Sequence, residues 1–80
     1  MNKTEILTAA LEHRNVEVFQ HQINIDNYTL AIAEIDANYA DDTAIQEFRA
    51  RLADLLASSI VEQRKEIIMR DVMAKQLGAN

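Results

Sequence analysis

Hydrophobic residues in the first half of the chain recur at alternating steps of four and three, the heptad pattern of a helix that packs against another helix. Only Arg14 and His21 place polar side chains in this seam. The pattern predicts one helix over about residues 3–39, roughly 54 Å long at about 1.5 Å per residue. The apolar seam residues are Leu7, Leu11, Val18, Ile25, Tyr28, Ile32, Ile35 and Tyr39.

A competing interpretation treats two short stretches, residues 16–18 and 23–25, as strand-like alternation. Their β-branched residues favour a strand, and Asn15, Asn24 and Asn27 are poor helix formers. The two stretches, however, lie seven residues apart with no Gly or Pro between them to make a turn. A single helix therefore explains more positions with fewer assumptions.

The only polar, turn-prone cluster inside the chain is residues 38–43. Here the first helix is expected to end, and Asp42 or Thr43 can cap the next helix by accepting a hydrogen bond from a free amide. Gln46 or Glu47 is expected to complete a capping box. So short a connection makes the two helices antiparallel neighbours.

The second helix is predicted over about residues 43–77, with Gly78 as its C-terminal cap and with Ala79 and Asn80 frayed. Its expected inward face consists of Ile45, Phe48, Leu52, Leu55, Leu56, Ile60, Ile67, Met73 and Leu77. The fold class is thus all-α, a single helical-hairpin domain over residues 1–80.

Folding the chain about residue 42 brings Ile32 beside Leu52 and Leu11 beside Met73. In the middle of the hairpin Arg14 can reach Glu66 or Asp71. Polar layers in a helical seam set its register, because a slip leaves a buried polar group unpaired. The predicted register-setting layer consists of Arg14, His21, Ser59 and Gln63.

Each helix also carries apolar residues outside the seam, at equal heights toward the open end of the hairpin. They predict a contiguous exposed patch, which soluble monomers seldom leave without a partner. We expect self-association into a four-helix bundle or a larger oligomer. The predicted interface residues are Val16, Phe19, Ile23, Leu30, Val61, Ile68 and Val72.

Composition supports oligomerisation, because a chain of 80 residues without Cys has no disulfides to reinforce a small core. Residues 1–43 hold eight acids and two bases, net −6, whereas residues 44–80 hold five acids and six bases, net +1. A total of −5 argues against nucleic acid and anionic membranes as partners. The predicted acidic partner face is Glu34, Asp36, Asp41 and Asp42.

The absence of a long apolar run and of a signal-peptide pattern predicts a cytoplasmic protein.

Candidate chemistry is sparse. His13, Glu17 and His21 are spaced by four, but the Glu-x-x-His elements of a dimetal bundle are missing. The sequence therefore predicts no catalytic, cofactor-binding or metal-binding residue.

We expect a non-enzymatic protein–protein interaction module, serving as an adaptor, assembly factor or structural accessory. The alternative is a small acidic inhibitor that binds and blocks a partner enzyme. If the acids mimic the charge of phosphate groups, that partner enzyme would be one that binds nucleic acid.

Overall fold

The computed structural model describes residues 2–78 and confirms the predicted helical hairpin. Two helices of 36 residues each, α1 (Lys3–Asn38) and α2 (Thr43–Gly78), run antiparallel and pack along their lengths. The Cα trace measures 58 × 16 × 14 Å. Both helix spans agree with the predicted ranges to within one residue at each end.

The start of α1 is capped by Asn2, a residue that the heptad pattern did not single out. Its side-chain oxygen accepts a hydrogen bond from the backbone N–H of Glu5 at 2.9 Å. In return, the Asn2 amide donates to the Glu5 carboxylate at 3.3 Å. The pair satisfies a free amide of the first turn and places a negative charge near the positive helix end.

The connection between the helices is organised around the Tyr39 carbonyl, which accepts hydrogen bonds from the Asp42 amide and the Gln46 side chain at 3.1 and 2.9 Å. The Asp42 carboxylate caps α2 by accepting from the Ile45 amide at 3.1 Å, which confirms Asp42 as a cap. The expected capping box is wrong, because three residues after Asp42 comes Ile45, and neither Gln46 nor Glu47 occupies that position.

The C-terminal cap predicted at Gly78 is also wrong. Gly78 is the last residue of α2, and no described glycine has a positive φ, so the left-handed cap is not formed. Glycine accepts the right-handed helical conformation as readily as the left-handed one, so the last turn extends through it. The expected fraying of Ala79 and Asn80 concerns residues outside the described range.

The hairpin core is thin and lies near the connection. Among the described residues only Ile35 and Leu52 are buried, at 6% and 5% exposure. The remaining inward-facing positions are half-buried, including most of the predicted seam. Two packed helices can cover only one side of each other, so little of this chain is removed from solvent.

Four residues predicted to face inward are instead exposed. Tyr39 lies beyond the last residue of α1 and is 47% exposed. Phe48 and Leu55 each precede an inward-facing residue of α2, and Ile60 follows one. A step of one residue turns a helix by about 100°, which moves these side chains to the flanks of the contact with α1.

Candidate interaction surfaces

The polar layer between the helices contains one well-made ion pair. Arg14 donates to both carboxylate oxygens of Glu66 at 3.2 and 2.9 Å, across the two helices. These side chains are 31% and 19% exposed, so the pair is partly shielded from water. Of the two acids predicted for Arg14, Asp71 pairs instead with its chain neighbour Arg70 at 3.3 Å.

The other members of the layer are less completely paired. Gln63 donates to the Val18 carbonyl at 3.2 Å and to the Gln22 side chain at 2.9 Å, and not to His21. The Nδ1 atom of His21 is buried and has no hydrogen-bond partner in the described part of the chain. Ser59 is half-buried in the same region. Arg14 and Gln63 therefore carry the specific polar contacts, while His21 leaves a polar atom unsatisfied.

All the predicted interface residues are exposed, from 38% for Ile23 to 67% for Phe19 and Leu30. They form two groups. The α1 outer column consists of Val16, Phe19, Ile23 and Leu30, and the α2 outer column consists of Val61, Ile68 and Val72.

The two outer columns lie on opposite sides of the hairpin. The inward positions of α1 include residues 18, 21 and 25, so Ile23 and its column neighbours point away from α2. In α2 the inward positions 59, 63 and 66 likewise place Val61 and Ile68 on the side away from α1. The predicted contiguous patch is therefore wrong, because each column faces outward from its own helix, although both lie at the same height.

One side of α2 carries a further exposed apolar group, of which Phe48 and Leu55 were expected to face inward and Met69 was not singled out from the sequence. Phe48, Leu55 and Met69 are 48%, 42% and 40% exposed and lie along one flank of α2. Their spacing by multiples of seven is the signal that could have found them, since it repeats one position before the inward-facing residues 49, 56 and 70. We call these three residues the α2 flank.

Most of the predicted acidic face already makes contacts within the hairpin. Asp36 receives two hydrogen bonds from Arg49, at 2.6 and 3.0 Å, and this guanidinium lowers the pKa of the Asp36 carboxyl below its ordinary value. Asp42 caps α2, and Glu34 accepts a hydrogen bond from the Asn38 side chain at 2.7 Å. Arg49 offsets one of the four negative charges of this face, whereas Glu34 and Asp42 keep their charges although their oxygens accept hydrogen bonds.

The hairpin offers little chemistry beyond contact. No group of three or more His, Asp or Glu side chains within residues 2–78 is arranged to hold a metal ion, and this part of the chain encloses no pocket. Glu62 accepts a hydrogen bond from Lys65 at 2.8 Å, which lowers the pKa of the Glu62 carboxyl, and Glu66 binds Arg14. Neither described helix has the length of apolar sequence needed to cross a membrane.

Comparison with known proteins adds no relative, since no protein-family model, curated protein or solved structure matches the chain.

Proposed function

We propose that this protein is a non-enzymatic interaction module that works as a homo-oligomeric helical assembly, in the role of an adaptor, assembly factor or structural accessory. The observation that carries the proposal is the pair of exposed apolar columns on a hairpin in which, over residues 2–78, only Ile35 and Leu52 are buried. Such columns stabilise a folded chain only when another surface covers them.

The accessible surface supports the same proposal. The chain exposes 5678 Å², whereas a compact monomer of 9.1 kDa would expose about 4,900 Å². The difference, about 800 Å², is comparable to the area that one partner buries in a stable protein–protein interface. Association between hairpins would remove this surplus and supply the stability that a two-helix core lacks.

The test is the solution mass of the protein by light scattering over a concentration series at low and high salt. We expect an oligomer that Phe19→Glu or Ile23→Glu dissociates, because a charge in the α1 outer column would have to be desolvated on association. Gln20→Glu, at an exposed α1 position to the side of the outer column, is the matched control and should leave the mass unchanged. A wild-type chain that stays monomeric at every concentration would overturn the proposal.

The acidic-inhibitor alternative draws less support from the hairpin. It relies on Glu34, Asp36, Asp41 and Asp42, yet Asp36 is neutralised by Arg49 and Asp42 is occupied as a helix cap. Charge mimicry needs carboxylates that are free to meet a basic partner. The apolar columns are therefore the stronger basis for a function.

A further inference from the structure

We propose that neighbouring copies associate edge to edge, with the α1 outer column of one hairpin packed antiparallel against the α2 outer column of the next. This inference rests on the proposed function, because it assumes that copies of the chain associate, and it adds which surfaces meet. The contact between copies would repeat the antiparallel α1–α2 packing found inside each hairpin.

Each outer column belongs to a second heptad seam, on the side of its helix opposite the inward seam. Exposed positions that alternate by four and three run through both columns, and a helix with two such seams can contact a partner on each side. In α1 the outer seam is Glu12, Val16, Phe19, Ile23, Asp26, Leu30 and Ala33, and in α2 it is Arg51, Asp54, Ser58, Val61, Lys65, Ile68 and Val72.

The two outer seams also lie in register with each other. Within one hairpin Gln63 contacts residues 18 and 22, which makes Ile23 nearly level with Val61 and Val16 nearly level with Ile68, although the members of each pair are on opposite sides. A neighbouring hairpin displaced sideways, without rotation, places its α2 beside α1 at the same height and in antiparallel orientation. Each pair then meets across the boundary between copies, and apolar side chains face apolar side chains.

The outer sides of the two helices carry net charges of opposite sign. Along its outer side α1 presents Glu5, Glu12 and Asp26 and no base, whereas α2 presents three bases and two acids. In the proposed contact Lys65, which donates to Glu62 within its own hairpin, comes level with Phe19, where its ammonium can approach the aromatic ring. Glu12 and Asp26 lie about two helical turns away on either side and favour a basic neighbour by longer-range attraction. The acids that α2 presents are Glu47 and Asp54, and its bases are Arg51, Lys65 and Lys75.

Charge also disfavours the main competing arrangement, in which two α1 helices pair around a two-fold axis. An antiparallel α1–α1 contact centred on Ile23 would match Val16 with Leu30 but would bring two acidic helices together. Glu12 of one copy would then lie near Glu34 of the other, a like-charge contact. The α1–α2 contact avoids this repulsion. Because it joins two different surfaces, it generates a closed ring or an open array.

The chain contains no Cys, so engineered cysteines can map the contact directly. We expect Ile23→Cys and Val61→Cys, mixed and oxidised, to give a mixed disulfide-linked dimer in severalfold excess over the products of either variant alone. A disulfide requires Cα atoms within about 7 Å, so its formation reports a close contact. Gln20→Cys, an exposed α1 position outside the outer seam, is the matched control and should give severalfold less cross-link with Val61→Cys.

A chain carrying both Ile23→Cys and Val61→Cys adds a second readout. The two positions lie on opposite sides of one hairpin and cannot form a disulfide within it, so oxidation should produce a ladder of oligomers. Two outcomes would overturn the edge-to-edge arrangement and leave the proposed function standing. One is that Ile23→Cys alone gives more disulfide-linked dimer than its mixture with Val61→Cys. The other is an oligomer in which none of the tested cysteine pairs forms a disulfide. Absence of cross-links together with a monomeric mass would overturn both.

Discussion

His21 occupies an inward position of α1, where the free-energy cost of burying its imidazole is not offset by a hydrogen bond to Nδ1. The unpartnered Nδ1 atom lies in a layer where the neighbouring Gln63 bonds to the backbone of Val18 instead. A buried polar atom without a partner costs on the order of 1 to 3 kcal/mol relative to a satisfied one. The residue is therefore a point of low stability in the middle of the hairpin.

Replacing His21 with Leu should raise the free energy of unfolding by about 1 kcal/mol, because it removes the unsatisfied atom and adds apolar contact. Urea unfolding followed by circular dichroism at fixed protein concentration measures this change. His13→Leu is the control, since His13 is exposed on the same helix and its replacement should alter stability by less than about 0.5 kcal/mol. A loss of stability in His21→Leu would mean that the imidazole makes a stabilising contact.

The Asp36–Arg49 ion pair gives the hairpin a defined dependence on acid. The pKa of Asp36 is lower in the folded chain than its ordinary value of 3.8, because Arg49 donates hydrogen bonds to the carboxylate. The unfolded chain therefore binds the proton more readily, and the contribution of the pair is present above about pH 4 and lost as the pH falls below it.

Melting temperatures measured from pH 7 to pH 2 should show this. Asp36→Asn is expected to melt below the wild type at neutral pH, and the difference should narrow toward the acid end, as protonation of the wild-type carboxyl weakens the ion pair. Asp41→Asn, at an exposed residue of the connection outside the ion pairs of residues 2–78 and outside both outer columns, should run parallel to the wild type. A gap between Asp36→Asn and the wild type that persists unchanged at pH 2 would contradict the role of the carboxylate charge.

At the scale of the element, the connection depends on one cap. Asp42→Ala removes the acceptor of the Ile45 amide and the negative charge at the start of α2, and we expect a loss of about 1 kcal/mol. Thr43→Ala, at the adjacent first residue of α2, should cost less, because the capping bond remains. Chemical denaturation of both variants provides the measurement. Equal losses would show that the cap contributes nothing specific.

The helices themselves could be predicted from sequence because a long heptad pattern is a redundant signal. Arg14 and His21 interrupt the apolar seam with polar side chains, but the remaining apolar residues still define its heptad phase. The roles of single residues such as Gln46 and Gly78 could not be predicted. The role of Gln46 depends on which residue caps the start of α2, and that of Gly78 depends on whether the last turn of α2 continues through it. The choice between adjacent apolar positions in α2, as at Phe48, also depends on the exact rotation of the helix against its partner.

At the scale of the whole molecule, the exposed columns were predictable but their relation was not. The sequence places Ile23 and Val61 at equal heights, and the structure confirms that both are exposed. Whether two columns adjoin or oppose depends on the rotation of both helices about their axes, which equal height does not determine. The inward positions of each helix define this rotation. They show that the residues expected to form a single patch lie on two separate outer surfaces.

The uneven core leads to a prediction for the whole molecule. Because Ile35 and Leu52 are the only buried residues in the described range and lie near the connection, stability should be concentrated there. Leu52→Ala is expected to cost about 2 to 4 kcal/mol, by loss of apolar burial and creation of a cavity. A marginal two-helix chain would lose most of its folded population.

Met73→Ala, at a half-buried position near the open end, is the comparison, and it should cost roughly 1 kcal/mol because less area is lost from the core. Urea unfolding at one fixed protein concentration is required, since association adds to apparent stability by mass action. Hydrogen exchange should agree, with amides around Leu52 protected more strongly than those around Met73. Equal losses for the two variants would instead mean that coverage of the open end by other copies makes it as stable as the core beside the connection.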